Sequence, residues 1–123
     1  MQARMGEILL QRGDAGEAER RLREAVRLDP SAEKPFDLLG GLLIDKKDYA
    51  AAEAVHREMI RHHPGAVAAY LRLGAVLARQ SRWTEAKEAL DRARALDPAA
   101  PIDPSLVAFL EQRAAAPGAA TRR

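Results

Sequence analysis

Cysteine is absent from this 123-residue chain. Disulfide staples and thiolate metal sites are therefore excluded, while the compartment stays open. Aromatic residues are scarce, 4% of the chain against 47% hydrophobic overall, so any core must be assembled from Leu, Ala, Val and Ile. No apolar run approaches the roughly 18 residues a membrane span requires. The N-terminal MQARMGEILLQRG is too polar for a signal peptide, which leans the reading towards the cytoplasm. A field of one charge sign is missing too. Lys and Arg number 20 against 18 Asp and Glu, a formal net charge of +2, too small to draw a nucleic acid. The pI near 9.3 reflects no more than that surplus. GxSxG, a phosphate loop and HExxH are also missing, so the chain is expected not to be an enzyme and to need no cofactor or metal.

What the chain does contain is a period. Pro30, Pro64 and Pro98 stand 34 residues apart, with no insertion. DAGEAERRLREAVRLDP (14–30), DYAAAEAVHREMIRHHP (48–64) and RWTEAKEALDRARALDP (82–98) share one plan. Ahead of them, Tyr70, Leu73, Gly74 and Leu77 lie at i, i+3, i+4 and i+7, one face of a helix. Phe36, Leu39, Gly40 and Leu43 repeat that spacing, and Gln2, Met5, Gly6 and Leu9 stand at the same places in the first copy. The later segment of each copy carries Ala18, Leu22 and Ala25, then Ala52, His56 and Met59, then Ala86, Leu90 and Ala93. Each copy thus reads as two amphipathic helices, A and B, of about 12–15 residues.

Glycine inside a helix costs about 1 kcal/mol relative to alanine. Its recurrence at one phase implies an offsetting gain, the close approach of helix B, with Ala18, Ala52 and Ala86 as the small partner surface. Gly13–Asp14, Lys47–Asp48 and Ser81–Arg82 are polar turn dipeptides between A and B. The prolines end each B helix. Ser31 is expected to cap the following helix, with Pro35 in its first turn.

On these residues the chain resembles the tetratricopeptide repeat, whose 34-position signature runs large, Leu-Gly, large, Ala, large, Ala, Pro. The third copy fits best, with Tyr70, Leu73, Gly74, Leu77, Ala86, Leu90, Ala93 and Pro98; Tyr49 and Trp83 occupy the aromatic place that opens helix B. The resemblance covers residues 2–98. It implies an all-α, right-handed superhelical stack of helix-turn-helix repeats, at about 1–32, 33–66 and 67–100. A hairpin cannot bury its apolar face alone, so stacked copies must each carry the same face.

The end of the stack needs a cover. Asp103 as cap, Pro104 at the first helical position and the stripe Leu106, Phe109 and Leu110 predict a capping helix at about 103–115. Residues 1–115 are expected to form one domain and 116–123 a flexible tail. Counted back from Pro30, the first A helix begins at its third position, with no room for a cap. Either the chain is a fragment of a longer protein, or lacks an upstream element, which is the favoured reading, or its first helix is loosely held; the uncapped first repeat also leaves self-association open. Trp83 is expected to pin helix B of its repeat onto helix A.

Of the histidines, His56 takes a packing place and His62 and His63 end their helix; their spacing does not converge on a metal. Carboxylates mostly sit one turn from a cation, as in Glu19/Arg23 and Glu88/Arg92. The resemblance supplies the remaining site: in this family helix A lines a concave groove that takes a peptide or helix. The matching positions are Ala3, Glu7 and Leu10, then Lys34, Asp37, Gly41 and Ile44, then Ala68, Leu71, Ala75 and Ala78. Some members clamp a chaperone's C-terminal carboxylate there; Ala3 and Glu7 depart from that pattern, and only Arg72 suits it. The expected function is a non-enzymatic interaction module for an amphipathic protein segment. The alternative is an appendage of a larger enzyme or of a secretion or assembly protein, arranging domains or oligomers. RNA binding ranks last, because Glu7 and Asp37 stand beside Lys34.

Overall fold

The computed structural model describes residues 2–115. Its elements are α1 (Gln2–Gln11), α2 (Ala15–Leu28), α3 (Glu33–Asp45), α4 (Tyr49–His62), α5 (Val67–Arg79), α6 (Trp83–Leu96) and α7 (Pro104–Ala115), with no strand among the described residues. The tail expected at 116–123 lies outside them. The chain divides into two compact units, Met1–Pro64 with α1–α4 and Gly65–Arg123 with α5–α7.

Each A–B turn is built the same way. In the first, the Asp14 amide donates to the Leu9 carbonyl and the Gly13 amide to the Leu10 carbonyl, the paired bonds of a Schellman ending. Lys47 and Asp48 donate to Ile44 and Leu43, and Ser81 and Arg82 to Ala78 and Leu77. The residue that closes helix A must enter the left-handed region. Gly13 does so at φ 82°, but Lys47 and Ser81 do so with a side chain, at 61° and 60°. The next residue then starts helix B. The carboxylates of Asp14 and Asp48 accept from the amides of Glu17 and Ala51, each at 3.3 Å. Arg82 has no such oxygen and instead pairs with Glu85 at 2.8 Å.

The repeated glycines are packing seats. A Cβ on Gly6 would lie 2.7 Å from Leu22 Cγ, and one on Gly74 2.8 Å from Leu90 Cδ2; His56 ring atoms crowd Gly40 still more closely. The partner surface differs from the sequence expectation. The large residue of helix B fills the glycine's space, while Ala18 and Ala86 contribute backbone carbonyl oxygens 3.4 and 3.3 Å away. Around these seats the core of the first unit holds Leu22, Phe36, Leu39, Leu43 and Met59, and that of the second Leu73, Val76, Leu77, Leu90 and Leu110.

Ser31 does not cap α3. The residue ahead of that helix is Ala32, which makes no side-chain cap bond, and Ser31 instead donates through its amide and hydroxyl to Asp29. Those bonds hold the Asp29 carboxyl below its ordinary pKa. Pro35 falls in the first turn of α3 and is buried, as expected.

α7 packs against α6 as a cap. The Asp103 carboxylate accepts from the Ser105 amide at 2.9 Å. Leu110 is wholly buried; it is the seventh residue of its helix, as Leu39 and Leu73 are of α3 and α5. The residue after it is Gly40 in α3 and Gly74 in α5, but Glu111 in α7. α7 therefore takes the form of an A helix without the seat a B helix would need. Trp83 packs on this cap: its ring meets Phe109 edge-on at 5.4 Å, and the Arg113 guanidinium lies over both rings at 5.7 and 5.0 Å.

Two expectations follow. Gly40→Ala should lower the unfolding free energy by about 1–3 kcal/mol through overpacking. Gly41→Ala, one residue on, should raise it by about 0.5–1 kcal/mol, since its Cβ meets nothing within 4 Å. Urea midpoints of the two variants would show opposite signs. The second expectation concerns Glu19, whose carboxylate accepts from Lys46, the residue after α3, at 2.6 Å and from Arg23 at 3.0 Å. The Lys46 bond, ahead of the Arg23 bond, holds its pKa below 4.5. A depressed carboxyl stabilises above its unfolded pKa and loses that contribution as pH falls through the folded value. Glu19→Gln should therefore cost under about 1 kcal/mol at pH 7 and nothing once pH is below the folded pKa, as chemical denaturation across pH would show.

Candidate functional site

The B helices carry charge that is spent internally. On α2, Glu17 pairs with Arg20 and Arg21, Glu19 with Arg23, and Glu24 with Arg27. On α4, Arg57 meets Glu53, and Glu58 holds both Arg61 and His62. Beside and on α6, Arg82 meets Glu85 and Lys87 meets Asp91. The arginine neighbours draw the pKa values of Glu17 and Glu24 down, and Asp91 raises that of Lys87. Arg92, expected to meet Glu88, lies instead over the Tyr70 ring at 5.9 Å.

The A helices present a different surface. In the first unit Glu7, Leu10, Asp37 and Ile44 are half-exposed, and Lys34 and Gly41 are exposed. Lys34 Nζ lies 2.9 Å from Glu7 Oε2, tying α3 to α1 across this face. A side chain on Gly41 would enter open space, so its lack of one leaves bare backbone in mid-helix. In the second unit, α5 presents Ala68, Leu71 and Ala78 half-exposed and Arg72 and Ala75 exposed. The side chain of Ala3 is outside the described residues.

The histidines do structural work. His56 is wholly buried against Gly40, where the other repeats place leucine. His63, which closes α4, donates from Nε2 to the Pro30 carbonyl at 2.8 Å, and its Nδ1 lies 3.7 Å from Glu33. Both rings at the end of α4 flank Phe36, with centroids 6.3 and 6.4 Å away. Among the described residues no group of His, Asp and Glu could hold a metal, and no helix is long and apolar enough to cross a membrane.

One feature was missed at the sequence level. A hollow of about 250 Å³ lies on the α2/α4 side of the first unit, lined by Arg23, Val26, Phe36, Ala51, Ala54, Val55 and Glu58. Its two charged walls are already paired, Arg23 with Glu19 and Glu58 with Arg61 and His62. No spacing rule signals it.

Tetratricopeptide-repeat family models match residues 43–108 and 4–58. The chain belongs to the tetratricopeptide repeat family. It is an all-α, tetratricopeptide-like solenoid and, as such, a protein-interaction module. Domains of this family are in general non-enzymatic. Solved structures agree on the fold. The first tetratricopeptide domain of Spaghetti (RPAP3), bound to the HSP90 peptide SRMEEVD, is 20% identical, covers 94% of this chain and 91% of its own, and superposes with a TM-score of 0.81. The first such domain of human RPAP3 gives 20% identity, 90% and 87% coverage and 0.77. MamA from Desulfovibrio magneticus RS-1, residues 41 to the end, gives 23% identity, 92% and 64% coverage and 0.72. No curated protein matches the chain.

The buried imidazole yields a test of the repeat register. His56→Leu gives the second repeat the residue its neighbours carry against their glycines. Replacing a fully buried imidazole with an apolar side chain of similar size should raise stability by about 1 kcal/mol. A thermal melt checks the direction.

Proposed function

We propose that the chain binds an amphipathic protein segment on the exposed face of its A helices, with residues 1–115 acting as one binding domain. The observation that carries this reading is the contrast between helix types. The B helices are sheathed in their own ion pairs, whereas α1 and α3 leave Leu10, Ile44 and the bare backbone at Gly41 accessible beside one neutralised pair. Such a surface suits a few apolar anchors, with polar groups fixing orientation. α5 offers a second surface of the same kind through Leu71, Ala75 and Ala78.

The Spaghetti domain takes an acidic HSP90 peptide. Here Glu7 and Asp37 share the α1/α3 face with Lys34, so a segment with apolar anchors fits better than an acidic tail. A face of this size supports micromolar affinity, about −8 kcal/mol. Immobilised chain is the test, comparing partners captured by the wild type, by Ile44→Glu and by Arg57→Ala on α4. Ile44→Glu should lose its partner at least about tenfold, since a buried carboxylate must be desolvated at the anchor. Arg57→Ala should retain it. Equal capture by Ile44→Glu would remove the α1/α3 face as the site.

A further inference from the structure

The Glu7–Lys34 pair has no counterpart on the helices that carry the other ion pairs. Those of α2 and α4 mostly join residues three or four apart on one helix. Glu7 and Lys34 are on different A helices, 2.9 Å apart, with side chains 35% and 66% exposed. Glu19–Lys46 joins α2 to the residue that closes α3, and so ties a B helix to the end of an A helix. Glu7–Lys34 alone among these crosses the face on which the proposed partner would lie.

We infer that this pair determines which segments the face accepts, and that it selects for segments without net charge at that point. The inference rests on the proposed binding role of the α1/α3 face. The physical argument is competition. A carboxylate arriving on a partner can reach the Lys34 ammonium only by displacing Glu7, which is tethered beside it and therefore present at high effective concentration. It would also approach the Glu7 charge, which repels it. A cationic partner meets the mirror-image difficulty at Glu7. An uncharged segment leaves the pair in place and gains from Leu10, one turn beyond Glu7 on α1, and from Ile44, further along α3. The charges thus act by exclusion, and recognition is apolar.

The test is a random dodecapeptide library displayed on phage and panned against four immobilised forms of the full chain: wild type, Glu7→Gln, Lys34→Gln and the double variant. Lys34 is exposed and Glu7 half-exposed, and neither belongs to the core, so all four should fold; melting curves check this. Peptides recovered on the wild type should carry no charge bias. Those from Glu7→Gln should shift towards acidic sequences and those from Lys34→Gln towards basic ones, with individual peptides of the favoured sign binding about three- to tenfold tighter than to the wild type at low salt. The double variant should return to the wild-type composition, and 0.5 M salt should shrink both shifts. Four pools of indistinguishable charge overturn the inference and show the pair to be a strut between α1 and α3. A changed melting temperature with unchanged pools says the same. Ile44→Glu is the control that separates the two readings. If wild type recovers nothing beyond this control, the binding role of the face fails and the inference falls with it. Recovery above the control without a charge shift leaves the binding role intact and removes only the selectivity.

Discussion

The structure depends on one close approach, made three times. A helix A with glycine at its crossing point admits the large residue of helix B into the space a Cβ would occupy. Leu22, His56 and Leu90 all do this, although one is an imidazole, so the requirement is for bulk at that place more than for one side chain. Helix spacing follows from it, and so does the burial of the remaining A and B residues. Where backbone is also close, as Ala18 and Ala86 carbonyls are, no rotamer change makes more room, and the spacing is correspondingly fixed.

What the sequence made legible was whatever one repeat carries alone. The glycine phase, the three polar turns, the prolines and Asp103–Pro104 all act within a few residues of themselves, so spacing rules reach them. The Schellman endings fall where the dipeptides placed them, although lysine and serine do a glycine's work in two of the three. The errors have a common origin in local rules with two outcomes. Ser31 is a good capping residue, but Asp29 is nearer and takes its hydroxyl. A different limit applies to Trp83, which opens helix B in its family place and also meets Phe109, on a helix outside the period that no spacing within the repeat reaches.

The candidate site was legible only in outline. Its positions came from family resemblance; Leu10, Asp37, Ile44 and Leu71 stand three or four residues from their glycines, at the edge of the packed face, and are half-exposed. The Glu7–Lys34 pair was not legible, because 27 residues separate its members and the relative placement of α1 and α3 decides whether they meet. His63 reaching the Pro30 carbonyl is similar. At the equivalent places Asp29 and Asp97 turn back on their own loops, accepting from the Ser31 and Ala99 amides.

The A–B turn has a further consequence, for how the chain tolerates length variation. Asp14, Asp48 and Arg82 each serve as the last residue of one helix ending and the first of the next start, so no residue there is slack. One added residue would rotate helix B by about 100° and carry Leu22 or its equivalent away from the glycine. The connection from B to the next A has no such double duty. It is three residues longer before α7 than before α3 or α5, and Leu110 still reaches its seat. Drift in loop length is thus confined to the connections that lead from a B helix to the next A helix, where new segments can be grafted without disturbing a single hairpin.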